Sequence, residues 1–319
     1  MKRIAVVGAG AMGRFHIRTM LDLEGVEVGV VADPFPHPEL SQFDVPVSIE
    51  PLAVASEGWD GVIVASTDET HAELAITALQ AGSRVLCEKP LASDLAGAIA
   101  VVETEESIGQ RRLQIGFMRR YDPVHLDVVE EIKDLDGIDY LRCTHRNTNA
   151  EARPPRVVIN QSIIHDIHTI TWLLGATAAV AASAVPRPGG LDHVLLTLQM
   201  ESGALASIEF QDRTYAYEVG IEASGPNGMV RSASPYLPAT RRLTSEMEPF
   251  TDWFGWFTEA YQIQDRAWIE SLDQPQATGP SAWDGLEAQL VSEAALASLA
   301  EGGSMVSIDR SLRQPSLYS

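Results

Sequence analysis

Through the first third of the chain, short runs of almost unbroken apolar residues alternate with stretches whose apolar positions recur every three or four. The runs cover 4–7, 26–32, 62–65, 85–87 and 113–117, and the periodic stretches cover 12–23, 72–80 and 95–103. Strands that are apolar on both faces and separated by helices predict a parallel sheet covered on each side. Gly82 and Gly109 punctuate helix ends, and Ser93 with Asp94 offers a cap before the helix at 95.

The texture changes after Tyr121-Asp122-Pro123. A helical stretch at 124–133 precedes runs of strand character at 140–145, 194–200, 204–211, 217–223 and 229–232, with Glu201-Ser202-Gly203 as a hairpin turn. Partial alternation predicts a mostly antiparallel sheet open on one face. Helices are expected over 162–174, closed by Gly175, and over 254–272 and 283–300. The expected division is therefore residues 1–120, an α/β domain with a doubly wound parallel sheet, and residues 121–319, an α+β domain.

The length of 319 residues agrees with two domains. A formal charge of -21 disfavours phosphate backbones and anionic membrane surfaces, so neither nucleic acid nor membrane is an expected partner. Two cysteines, Cys87 and Cys143, are too few for a disulfide framework and lack metal-ligand spacing, which suits the cytoplasm. No uninterrupted apolar run reaches spanning length, no signal sequence is read at the N-terminus, and no internal repeat is found.

The first strand runs straight into Gly8-Ala9-Gly10-Ala11-Met12-Gly13, a G-x-G-x-x-G turn that opens a helix. Gly8 makes the tight turn, Gly10 admits a pyrophosphate to the backbone, and Gly13 lets the helix pack on the strand. The helix N-terminus adds free N–H groups and the positive end of its dipole. Asp33, at the end of the second strand, stands where an acid accepts a hydrogen bond from the adenosine ribose. These residues predict a Rossmann site for NAD. With Asp33 followed by Pro34 and no basic residue beside it, NADP is disfavoured. The alternative for Asp33 is a plain turn acid.

The fifth apolar run leads into Glu88-Lys89-Pro90, and a later helix carries His165-Asp166-Ile167 and Ile170 through Trp172-Leu173-Leu174-Gly175. Together with the glycine turn, these motifs resemble the glucose-fructose oxidoreductase / inositol dehydrogenase / MocA family. Gly116 through Asp122, Thr144-His145-Arg146-Asn147 and Gly279 through Gly285 are similar to its inositol 2-dehydrogenase branch. The resemblance covers essentially the whole chain.

It implies oxidation of a secondary alcohol on a cyclic polyol or sugar, with NAD as cofactor and a homo-oligomer, dimer or tetramer, as the assembly. Lys89 and His165 carry over as catalytic residues. The family's aspartate, four residues before the histidine, falls on Gln161, and the position three after it is His168. Gly8, Gly10, Ala11, Met12, Gly13, Asp33, Thr67, His71, Glu88 and Lys89 are implied on the cofactor side. Arg119, His145, Asn147, Gln161, His165 and Tyr261 are implied on the substrate side, and no metal is implied.

Residue chemistry agrees with the central pair. An imidazole, with an ordinary pKa of about 6.5, suits proton abstraction near neutrality. A lysine cation stabilises alkoxide character. Gln161 hydrogen-bonds a hydroxyl but holds no charge. Plainer readings stand beside these: a core histidine at 165, a helical core aromatic at Tyr261, a strand end at 145–147, and an N-cap at Asp122. Two other functions remain open, a sugar dehydrogenase or ketoreductase of different substrate, and a regulator that binds NAD and sugar without turnover.

Overall fold

The computed structural model describes residues 1–149, 151–232 and 252–318. They form two units. Met1–Phe117, Gln262–Gln289 and Leu312–Ser319 make the first, and Met118–Tyr261 with Leu290–Ser311 make the second.

In the first unit, β1 (Lys2–Val7), α1 (Ala11–Leu21), β2 (Val26–Ala32), β3 (Val47–Ser48), α2 (Pro51–Ala55), β4 (Gly61–Val64), α3 (His71–Gln80), β5 (Arg84–Cys87), α4 (Leu95–Ile108) and β6 (Leu113–Ile115) follow in order. The sheet runs β3-β2-β1-β4-β5-β6 with every pair parallel. That is the doubly wound order, whose strand direction of growth reverses between β1 and β4 and leaves a ligand crevice at their carboxyl ends. The side chains of Ile4 through Val7, Val62 through Val64 and Val85 through Cys87 are fully buried, as strands covered on both faces require. Asp94 caps α4 by accepting the Gly97 N–H at 2.8 Å, and Gly109 ends it in the left-handed region at φ 72°.

The second unit contains α5 (Pro123–Ile132), β7 (Tyr140–Thr148), α6 (Pro155–Val158), α7 (Ile164–Leu174), β8 (Thr177–Arg187), β9 (Gly190–Met200), β10 (Leu205–Gln211), β11 (Arg213–Gly225) and β12 (Gly228–Arg231). Helices α8 (Trp253–Ser271) and α9 (Ala282–Ala300) each begin in one unit and end in the other, and β13 (Val306–Ser307) follows. The sheet order is β12-β11-β7-β10-β9-β8-β13, antiparallel throughout except for the parallel pair β7 and β10. The expected hairpin turn lies between β9 and β10, where Gly203 takes φ 90° and donates to Met200 O.

Strand β8 was not foreshadowed, because Ala178, Ala179, Ala181, Ala182 and Ala184 carry little strand propensity. Its place is set by partners instead: β9 along its length, β13 at two residues, and Ser298 Oγ of α9, which accepts the Ala182 N–H at 2.8 Å.

Part of α8 belongs to the first unit's core. Trp268 is buried with Ile4, Val6, Ile17, Val31, Ile63 and Leu86. Its ring lies over Gly61, where an added Cβ would come within 2.6 Å of it, so a side chain at 61 would displace the indole.

Candidate active site

The glycine turn has the shape a dinucleotide needs. Gly8 sits at φ 103°, and a Cβ there would lie 2.3 Å from Ala65 O; at Gly13 a Cβ would lie 2.0 Å from Gly8 O. Both positions therefore require glycine. At Gly10 an added Cβ would meet nothing within 4 Å, so the backbone there faces open space. The first helical bond of α1 runs from Arg14 N–H to Gly10 O at 3.0 Å, which leaves the N–H groups of Ala11, Met12 and Gly13 ahead of it as the helix's anion-binding donors. No acidic residue stands in that first turn. Asp33 accepts the Ala9 N–H at 2.7 Å through Oδ2 and the Phe35 N–H at 2.8 Å through Oδ1, which ties the end of β2 to the glycine turn. These residues fit a dinucleotide: an open glycine face for its pyrophosphate and an oriented carboxylate for its ribose.

Around the carboxyl ends of β4 and β5, the cofactor-side candidates divide. Thr67 is exposed. His71 is buried, with Nδ1 2.7 Å from Pro90 O and Nε2 3.3 Å from Ser66 O, so it braces the turn after β5 against the turn after β4. Glu88 is also buried, 3.2 Å from His16 Nε2 through Oε1. Lys89 stands between Glu88 and Pro90 at the end of β5.

In the second unit, α6, a π turn over Ile159–Ile163 and α7 follow one another without a break. Gln161 lies in the π turn and His165 in the first turn of α7. In α geometry a step of four residues oversteps one turn by about 40°, and the wider π turn absorbs part of that excess. The two positions therefore come closer to alignment than the expected regular helix would bring them. Gln161 is exposed and His165 buried. His168 is buried as well, and no group of three side chains suited to a metal occurs among the described residues.

Asp166, next to His165, is the centre of a buried ionic group. Its Oδ1 accepts from Arg119 Nη1 at 2.5 Å and its Oδ2 lies 2.7 Å from His145 Nδ1. Arg119 Nη2 stands 3.3 Å from the same His145 nitrogen, and Tyr217 Oη lies 3.4 Å from His145 Nε2. Burial alone would raise the Asp166 carboxyl, but Arg119 and His145 outweigh it and hold the group down at about 2. Burial is the largest influence on His145 and pushes its pKa down. Arg119 and His145, expected on the substrate side, are thus only 1% and 3% exposed and spend hydrogen-bonding capacity on Asp166.

His145 and Asn147 lie within strand β7, where buried and less buried positions alternate. Asn147 Nδ2 is 3.4 Å from both Ser162 Oγ and Asp212 Oδ1. Arg153 grips Asp212 with Nε at 3.0 Å and Nη2 at 2.6 Å, and reaches Ser162 Oγ at 3.1 Å. Tyr261 is 1% exposed on α8, its ring centroid 6.2 Å from that of Trp253. Asp122, read as an N-cap, caps α5 by accepting the His125 N–H at 3.1 Å.

Residues 2–117 match the model of the GFO/IDH/MocA oxidoreductase family's NAD-binding Rossmann fold, and residues 139–231 match that of the family's C-terminal domain. The chain belongs to this family. It is an NAD-dependent oxidoreductase. An inositol 2-dehydrogenase 2 of Saccharopolyspora erythraea is 35% identical, covering 99% of this chain and 98% of its own. An inositol 2-dehydrogenase of Streptomyces avermitilis is 34% identical, with 91% and 90% covered. Among solved structures, a myo-inositol dehydrogenase from Lactobacillus casei in complex with NAD(H) and myo-inositol aligns with a TM-score of 0.91 at 26% identity, covering all of both chains.

His16, Asp166, Asp212, Tyr217 and Asp265 belong to no motif spacing that marks them as functional neighbours. Only Asp166 carried a local signal, its place directly after His165. The others are joined to their partners across 59 to 249 residues, a separation that no spacing rule spans.

Proposed function

We propose that this oxidoreductase transfers a hydride between a secondary alcohol of an inositol-like cyclic polyol and NAD. The observation that carries the reading is the likeness along the full chain to inositol 2-dehydrogenases, at 35% identity over 99% of the chain. When bound, the nicotinamide supplies the hydride acceptor. The chain's own residues do the rest. Lys89, at the end of β5, stabilises negative charge on the alcohol oxygen. His165 takes the hydroxyl proton, a contribution of roughly 10²- to 10⁴-fold. Gln161, exposed on the π turn, orients a ring hydroxyl by hydrogen bonding. Asp166, Arg119 and His145 hold α7, which carries His165, to β7, which favours a supporting role for Arg119 and His145 over direct substrate contact.

The neutral amide of Gln161 favours a second reading, a sugar dehydrogenase or ketoreductase for a different ring. A panel of inositols and hexoses, followed by absorbance of reduced cofactor, separates the two by which substrates turn over. The proposal extends to a homo-oligomer, since solvent-facing positions of the seven-stranded sheet include Tyr140, Val185, Leu195, Leu205 and Met229. A cytoplasmic setting is supported by the two free, buried thiols of Cys87 and Cys143.

A further inference from the structure

We propose that His16 is a positioning residue for Lys89, acting through Glu88. His16 lies on α1, three residues past the last glycine of the turn, and is fully buried. Its Nδ1 is 2.8 Å from Asp265 Oδ2 and its Nε2 is 3.2 Å from Glu88 Oε1. Both partners are carboxylates, so both ring nitrogens donate and the imidazolium satisfies the pair. Burial by itself disfavours that cation. The attraction and hydrogen bonds of Asp265 and Glu88 outweigh burial and push its pKa up to about 10.

The Glu88 carboxylate has one seat. His16 holds Oε1, and Oε2 faces the Lys89 N–H at 3.4 Å. From the other side Gly116 closes on it, since a Cβ at 116 would lie 2.8 Å from Oε1 and 3.1 Å from Oε2. The residue after Lys89 is held as well, because Pro90 O lies 2.7 Å from His71 Nδ1. Lys89 therefore stands between two pinned neighbours. A lysine side chain has a long, flexible stem, and fixing its root reduces the freedom it must lose to bring the ammonium to a reacting oxygen.

A tie between α1, β5 and α8 for stability alone has no need of three ionisable groups. Buried ionic groups cost desolvation, and apolar replacements of equal volume are often as stable. The position beside Lys89 gives the charge a use.

This inference rests on the role given to Lys89 above. Its test is a double-mutant cycle on the full-length protein, with kcat, KM for the best polyol, and NAD affinity measured for wild type, His16→Ala, Lys89→Ala and the double variant. His16→Ala is expected to lower kcat about 10- to 100-fold, with KM and NAD affinity within about threefold. In the Lys89→Ala background the same change is expected to lower kcat less than about twofold, because the residue it positions is gone. His16→Gln, which keeps a donor for Glu88, is expected to recover part of the loss. Should His16→Ala not fold, His16→Gln and Glu88→Gln carry the same cycle. Undiminished kcat in the folded His16 variants overturns the proposal, as does an equal loss in both backgrounds, which marks a role independent of Lys89. Undiminished kcat in Lys89→Ala overturns the underlying reading and this proposal with it.

Discussion

Asp33 accepts the backbone N–H of Ala9 through Oδ2 at 2.7 Å, so the residue directly after β2 is oriented by the glycine turn. With the Phe35 N–H on its other oxygen, the carboxylate is fixed before any ligand arrives. A 2′-phosphate would meet this charge directly. NADP is expected to bind about thirtyfold more weakly than NAD, a difference of about 2 kcal/mol. Fluorescence titration with both cofactors checks this, and Asp33→Ala narrows the gap. Equal or tighter NADP binding contradicts it.

Lys89→Ala is expected to leave NAD affinity within severalfold and to lower kcat by at least ~10², since it removes charge stabilisation at the reacting oxygen and no cofactor cradle. His165→Ala is expected to lose a similar factor together with the acidic limb of the pH–rate profile. Steady-state kinetics on the best substrate decides both, and an unchanged kcat removes the residue from the mechanism.

The Asp166 group makes a prediction about stability. A carboxyl lowered from 3.8 to about 2 contributes stability that is fully present above the unfolded value and is lost as the pH falls through the folded one. Asp166→Ala leaves the Arg119 guanidinium buried without its anion and is expected to cost about 3–5 kcal/mol. Thermal unfolding from pH 7 down to pH 2 measures both effects: the wild type loses its advantage over the variant toward the acid end. A difference that stays constant with pH would show that Asp166 is not the titrating group.

The geometry of the glycine turn is legible in the sequence because its parts are local. Gly8, Gly10 and Gly13 lie within six residues, and Asp33 directly follows the next strand, so spacing alone singles them out. Parallel strands read equally well, since burial on both faces leaves unbroken apolar runs such as Val62 through Val64. Where placement depends on distant partners, sequence rules fail. The alanines of β8 become a strand because β9 and α9 supply the pairing. Residues 262–289 return to the first unit to place Asp265 against His16 and Trp268 over Gly61. Arg119 and His145 were recognisable as members of a motif, but their inward pairing with Asp166 depends on the register of β7 beside α7.

Gln161 gives the most distinctive expectation about substrate. A carboxylate at this position, nearly aligned with His165 across the π turn, stabilises the positive charge that develops as the imidazole takes the alcohol proton. Gln161→Asp is expected to oxidise inositol-like substrates faster than the wild type. A variant that folds, binds NAD and is no faster on any polyol contradicts this role for the position.

The central claim is NAD-dependent oxidation of a cyclic polyol, and the direct measurement is formation of reduced cofactor by the wild-type protein with NAD and each member of an inositol panel. The account predicts turnover of at least one inositol, slower than that of Gln161→Asp and abolished to within ~1% by Lys89→Ala. Tight NAD binding with no turnover of any inositol or hexose would contradict it and leave a protein that binds its ligands without transforming them.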